Sequence, residues 1–592
     1  MRERFGRTAL FLSGILIGDQ AFAQQTPPPP PANQVEQAVP RRDQVEPSTA
    51  PEEASRTRVR IDTRGAIPPP PCALESSPLR VTLTSVSFQN SAGGPIAPEL
   101  QRLLAKISTG PAGEQPIAVV CSIRDQVNEL LNDAGYVALA QIPSQEIASG
   151  DLKLTIVTAH IVEVRILGEL GPFRRIIESR IDAIRQIDPL NRKEAERILL
   201  QTGDIPGVDV RLALRAAGSG SAAGDVIGEL SVETRRLQVL ANVQNFGSRQ
   251  LGPAIASIRA EAYGLTGLAD RTYFAYSNST DWNEIHVAQA GHDFALNSAG
   301  LRAAIRGSLA LSRPDIPNLD LRSRSAIVGV ELSQQIVRRV DKQLTATIGF
   351  EALDQRTQIH QSGSSVPFTR DRMRVGFTRL DGEATFLTPA GTPLTTLGGY
   401  AELRKGFDLF GASETGVAKD GYPPSRFEGD PEAVVIRGEL AVDLRPFRGF
   451  TLSTQAFGQW ANHPLLNLEE FSLGNFTYGR GYDPGSNGGD RAYAFRIEPR
   501  LRLPLGLPVD IELTGFYDTV KIENLDQGAT EKDRRLRSVG GGVRLLSAGR
   551  LVVDLLYAHP LDRALLTDRE KPRDRFLVSL TTRLFPFPWG RH

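Results

Sequence analysis

The sequence predicts a transmembrane antiparallel β-barrel of about sixteen strands, preceded by two α/β domains on the periplasmic side. Three observations lead there. The chain opens with an export signal, no later apolar run is long enough for a membrane-spanning helix, and residues 237–585 alternate apolar with polar at period two. An exported chain without helical spans is periplasmic, secreted, or a closed barrel, the other structure that satisfies every backbone group in lipid.

The signal occupies residues 1–23. Arg2, Arg4 and Arg7 precede a short apolar run at 8–18, and Ala21-Phe22-Ala23 supplies a small-residue cleavage site. That run is too short to span a bilayer, which needs about 20 apolar residues. Lys+Arg is 68 and Asp+Glu is 68, so no basic surplus marks a nucleic-acid binder. Residues 24–78 are Pro-rich, with polyproline runs at 27–31 and 68–71, and read as an extended linker in the periplasm.

Residues 79–160 read as an α/β unit. Val81, Leu83, Ser85 and Ser87 alternate in an opening strand, and Ser122 with Asp125 marks a helix start. Ile123, Val127, Leu130 and Leu131 share one face before Gly135, and Leu152, Leu154 and Ile156 close the unit. Residues 161–235 repeat the theme. Val162, Val164 and Ile166 form a strand, followed by a helix bearing Ile177 and Ile184 and another begun by Asn191 and Glu194. A hairpin through Val210 and Val226 ends it. From 236 to 592 the helical period vanishes, and segments such as Val434/Ile436/Gly438/Leu440 alternate. Many segments with one apolar and one charged face suit one closed barrel in lipid better than an array of soluble sandwiches.

Chemistry is sparse. The seven histidines show no metal spacing, and neither Gly-x-Ser-x-Gly nor a Gly-Lys-Ser/Thr loop occurs. Gly218 to Ala223 matches a dinucleotide pattern but lies between two strands with no helix to receive a pyrophosphate. We expect no enzymatic activity, no cofactor and no metal. Trp282, Trp460 and Tyr557 suit the lipid–water interface. Phe585 alternates onto the face of Ser579, Thr581 and Arg583 rather than that of Phe576 and Val578, which leaves open whether Phe585 or Trp589 is the C-terminal aromatic that assembly machinery reads.

Residues 468–502 carry the most specific pattern. Leu473-Gly474, Arg480-Gly481-Tyr482 and Gly489-Asp490-Arg491-Ala492-Tyr493 occur in order within a loop rich in Gly, Asn and Asp. A strand follows, with Tyr493, Phe495 and Ile497 on one face and Arg496, Glu498 and Arg500 on the other. These blocks resemble the loop of the two-partner secretion outer-membrane transporters, the hemolysin secretion/activation protein family. Gly479, Asn475 and Ala492 depart from the family's usual residues. Asn245-Phe-Gly247-Ser248-Arg249-Gln-Leu-Gly252 is similar to the family's barrel start. The two α/β units look like its polypeptide-transport-associated (POTRA) domains.

The resemblance implies a pore that recognises a secreted exoprotein by its N-terminal secretion domain and passes it across the outer membrane, embedded in outer-membrane lipid. It implies that Arg480 folds into the barrel to meet Asp518, which alternation places in the lumen with Glu512 and Thr514. A short N-terminal helix plugs the pore in that family; no amphipathic period here supports one. Two other readings are an assembly factor of the same superfamily, which would usually carry more POTRA units, and a passive porin, which would lack them. Cys72 and Cys121 flank the first unit's opening strand and helix, and an oxidising periplasm would join them.

Overall fold

Sixteen antiparallel strands close on themselves, the first, Leu237–Gln244, pairing with the last, Arg575–Phe585. This computed structural model describes residues 38–47, 62–65, 71–110, 113–147, 150–218, 220–361, 363–474, 478–505, 509–529, 531–547 and 551–585. The signal segment 1–23, the run at 27–31, Pro68, Pro69, Pro70 and Trp589 lie outside the described residues. No helix among the described residues is long and apolar enough to cross a membrane.

The barrel wall follows from alternation. In Val509–Glu523, Phe516 and Asp518 are buried while Leu513 is exposed. In Arg491–Leu503, Arg496 and Glu498 are buried while Tyr493, Phe495 and Leu501 point outward. One exception corrects the expectation for Phe585. Val239 pairs with Phe585 but the next residue, Leu240, pairs with Arg583, so Leu584 is an extra residue in a bulge. The bulge flips the parity and puts Phe585 opposite Val239, on the outward face with Val243 and Leu580.

The first α/β domain has a three-stranded sheet ordered Ser85–Asn90, Asp151–Thr158, Ala138–Gln141. Its long helix, Val119–Ala134, begins three residues before Ser122, with no side-chain cap. Val120 and Ile123 sink into the core with Val127 and Leu131, and that burial overrides the polar start signal. Gly135 ends the helix at φ +95°, a left-handed cap suited to glycine. The helix Pro98–Leu104, anchored by Leu100 and Leu104, was not apparent from periodicity. Cys72 and Cys121 form a disulfide with Cα atoms 6.0 Å apart. Unreduced mature protein is therefore expected to take up no thiol alkylating agent, and mass spectrometry showing two alkylated cysteines would contradict the bond.

In the second domain, Arg174–Arg185 and Arg192–Gly203 pack on a sheet through Ile177, Ile184, Ile198 and Leu199. Asn191 caps the second helix, its side chain accepting from Lys193 N–H. The sheet order is Asp62–Gly65, Val208–Ala216, Asp225–Thr234, His160–Leu167. This domain meets the barrel at two turns. Tyr263 and Ala269 join its core, and Arg338 binds Asp204 through two hydrogen bonds.

Two stretches correct the linker expectation for 24–78. Asp62–Gly65 pairs in parallel with Val208–Ala216 and covers that edge of the second domain's sheet. Residues 38–47 lie against the inner wall of the barrel, with a single helical turn at Arg42–Val45. The turn docks through charge pairs, main-chain acceptors and one buried apolar side chain, Val45, and a single apolar residue in one turn leaves no hydrophobic period to mark it.

Candidate functional site: the barrel lumen, its loop and its plug

The loop at 462–490 joins the strands Phe450–Ala461 and Arg491–Leu503 and folds back into the barrel. Gly474 turns it at φ +91°, where a Cβ would come within 2.4 Å of the Asp483 carbonyl. Arg480 is 2% exposed and Asp518 0%. Arg480 Nε and Nη2 donate to the two Asp518 oxygens at 3.1 and 2.9 Å, and its main-chain N–H adds a third bond at 3.2 Å. Its Nη1 donates to Glu498 at 2.7 Å, and its Cζ sits 3.5 Å from the centre of the Phe516 ring. A planar fork thus meets two carboxylates and one aromatic face, a set that only arginine satisfies.

The neighbouring motif residues fix the loop to the wall. Gly481 leaves room where a Cβ would lie 2.8 Å from Ser538 Cβ. Tyr482 donates its hydroxyl to the Arg537 carbonyl at 2.8 Å and accepts from Asp562 N–H at 3.1 Å; burial pushes its pKa up to about 12. Asp490 accepts from the N–H groups of Leu465 and Leu525, both at 2.7 Å, and pairs with Arg426. A Cβ on Gly489 would strike Ile522 at 2.4 Å. Arg491 donates to the Ala461 carbonyl at 2.9 Å.

The barrel-start residues lie at the seam. The Asn245 side chain donates to the Phe576 carbonyl and accepts from Val578 N–H, both at 2.7 Å, and so ties the first strand's end to the last strand. Gly247 and Gly252 approach so closely that a Cβ on Gly247 would lie 1.9 Å from the Gly252 carbonyl oxygen, and Gly252 is at φ +94°. Ser248 Oγ accepts from Leu251 N–H at 3.1 Å. Arg249 N–H donates to Asp483 at 3.0 Å, while Arg575 of the last strand binds the Tyr482 carbonyl. The start motif, the loop and the seam therefore form one assembly, which spacing did not reveal.

Sequence reasoning also missed the plug. Arg42 Nη2 reaches both Glu351 oxygens at 2.8 Å, and its Nη1 donates to Glu469 at 3.0 Å. Arg41 pairs with Glu470, and Glu46 with Arg306. Gln355 and Asn467 donate to the Pro40 carbonyl at 2.7 and 3.0 Å. Val45 packs with Ile327, Leu353, Leu466 and Leu468. Burial alone would raise the Glu469 pKa, but Arg404, Arg437 and Arg42 hold it at about 2. It stays ionised at any physiological pH, and its contribution to docking fades only as pH falls from the ordinary carboxylate range toward 2. Glu470 and Asp490 share Arg426, so plug and loop motif belong to one chain of charges.

Known proteins bear on this arrangement. A family model for the haemolysin secretion/activation protein ShlB/FhaC/HecB matches residues 229–545. The heme/hemopexin transporter protein HuxB of Haemophilus influenzae strain Rd is 21% identical over 467 residues, 76% of this chain and 78% of that protein. HuxB of strain 86-028NP is 21% identical over 469 residues, with the same shares covered. Among solved structures, CdiB from Escherichia coli superposes with a TM-score of 0.66 at 16% identity, over 88% of this chain and 93% of that one. CdiB from Acinetobacter baumannii gives 0.59 at 12%, over 93% and 95%. At such identities these two report the fold. The chain belongs to the haemolysin secretion/activation protein family, the outer-membrane transporters of two-partner secretion.

Proposed function

We propose that this outer-membrane transporter takes up the N-terminal secretion domain of its partner exoprotein on the open sheet edges of its two periplasmic domains and then threads it through the barrel. Pairing onto a sheet edge supplies backbone hydrogen bonds without requiring one cargo sequence. Asp62–Gly65 covers one edge of the second sheet, so His160–Leu167 on the other side and Ser85–Asn90 and Ala138–Gln141 in the first domain are the candidate edges. Val162 and Leu167 on that second-domain edge are exposed apolar side chains.

In this reading Arg480 holds the loop against the wall so that the lumen keeps a defined path, and Asp518, Glu498 and Phe516 are its anchors. Gly481, Tyr482, Gly489, Asp490 and Arg491 set the loop's shape, and Asn245, Gly247, Ser248, Arg249 and Gly252 tie it to the seam. Folding of the cargo outside the cell would pull the chain outward. The observation that supports this role is the threefold hydrogen bonding of Arg480 to a fully buried Asp518. The similar proteins of Haemophilus influenzae are named heme/hemopexin transporters, which makes a heme- or hemopexin-binding exoprotein the first cargo class to test.

Residues 62–235, expressed without the barrel so that Asp62–Gly65 still covers its edge, are expected to bind the partner's N-terminal segment, measured by titration calorimetry. If the full-length protein binds and the domains do not, recognition lies in the barrel and the edge model fails.

A further inference from the structure

We infer that a row of three arginines on the outer wall of the barrel binds phosphate groups of anionic lipid in the outer leaflet. The strands Asp320–Arg338, Lys342–Gln361 and Ser364–Leu387 are neighbours in the wall. In register, Arg324 stands directly opposite Arg356, and Arg356 directly opposite Arg370. Side chains directly opposite on antiparallel strands have Cβ atoms about 5 Å apart, and like charges so placed repel. Three cations in line across three strands therefore call for an anion between them.

The row faces away from the lumen. On these strands the buried set is Leu321, Ser325, Ile327, Leu353, Gln355 and Asp371. The arginines occupy the alternate positions, and Arg324 and Arg356 are exposed. Among the described residues, Arg324 and Arg356 have no carboxylate partner; Arg356 instead lies 4.7 Å over the Tyr422 ring. Arg370 and Arg372 share Asp354 and Asp420, and Arg374 donates to the carbonyls of Leu353, Met373 and Phe410, so the arginines at 324, 356, 370, 372 and 374 outnumber these two carboxylates. Positive charge thus exceeds negative on this patch.

Position names the anion. Val328, Val330, Leu332, Ile348 and Leu380 form the exposed apolar belt on the same three strands. Arg324 lies four residues beyond Val328, about 13 Å along a strand at 3.3 Å per residue. The strand Leu237–Gln244 leaves the periplasmic domains, so the sixth strand starts at the extracellular end, and the row stands just above the belt on that side. Lipid phosphate is the anion met at that height. Cargo passing through the lumen does not reach this face. Guanidinium forks bind phosphate oxygens in pairs, and a row of three can hold a diphosphorylated headgroup. The inference rests on the barrel's seat in the outer membrane and not on how cargo is recognised.

The test uses full-length protein in nanodiscs of phosphatidylcholine, with or without diphosphoryl lipid A, and native mass spectrometry of the lipid retained after extraction. The wild type is expected to retain lipid A but not its dephosphorylated form. The triple variant Arg324→Gln/Arg356→Gln/Arg370→Gln should retain at least about tenfold less, the effect of about 1.4 kcal/mol. Heat-modifiable gel mobility reports whether the triple variant is folded. If it is not, Arg356→Gln alone, at the centre of the row, should lower retention severalfold. Equal retention by wild type and variant, or of lipid A with and without its phosphates, would overturn the inference. Displacement of lipid A by inorganic phosphate would assign the row to a soluble anion instead, and would equally overturn it.

Discussion

Arg480→Ala is expected to abolish secretion of the partner exoprotein while the barrel still inserts and keeps its heat-modifiable mobility. Arg480 makes no lipid contact, and every barrel strand pairs through its own backbone, so insertion does not depend on it. What the substitution removes is the fork between Asp518 and Glu498, leaving the buried Asp518 without its guanidinium partner while Glu498 keeps Arg500. Breaking a buried pair from one side costs about 3–5 kcal/mol. That is roughly two to four orders of magnitude in the balance between docked and released loop. Arg480→Lys should also fail, because an ammonium cannot bond both Asp518 oxygens and Glu498 while stacking on Phe516.

Asp518→Ala should be milder than Arg480→Ala, since Arg480 keeps Glu498 and the Phe516 face. The double variant should be little worse than Arg480→Ala alone, because both changes disrupt one interaction. Additive defects would show that the two residues act independently.

The second large effect belongs to the plug. Arg41→Glu/Arg42→Glu sets acidic groups against Glu351, Glu469 and Glu470, and is expected to expel residues 38–47 from the lumen. Planar-bilayer recordings should then show an open probability raised at least tenfold, which requires only about 1.4 kcal/mol. Secretion should persist. The wall does not need the plug for its own charge balance: Arg404 bridges Glu351 and Glu469, Arg437 also holds Glu469, and Arg306 binds Glu351. Departure of the plug therefore leaves no orphaned charge in the wall. Unchanged conductance in this variant would mean that residues 38–47 do not obstruct the pore.

The contrast between loop and plug explains what the sequence could reveal. Strand alternation is a property of neighbouring residues, so the inward set of Arg491–Leu503 and Val509–Glu523 can be read directly, Asp518 included. Glu498 and Phe516 lie on the same inward faces and could have been named as further partners of Arg480. The plug offers no such regularity. Arg42 meets Glu351 and Glu469 across 309 and 427 residues, and nothing in Arg41-Arg42-Asp43-Gln44 announces those partners. The bulge at Leu584 is likewise invisible to a strict period of two, because it is set by the register with Leu237–Gln244. The helix Val119–Ala134 starts early because buried Val120 outweighs the local preference of Ser122 for a helix end.

The central claim is that this barrel carries an unfolded partner exoprotein across the membrane. It is tested most directly with proteoliposomes in which purified protein is oriented with its periplasmic domains outward. Unfolded exoprotein carrying its N-terminal secretion domain is added outside, and its protection from protease is followed. Wild-type vesicles should protect it over time, while Arg480→Ala vesicles with folded barrels and cargo lacking the secretion domain should not. Protection that is the same in empty vesicles, or absent with wild-type protein while the exoprotein binds, would contradict the account.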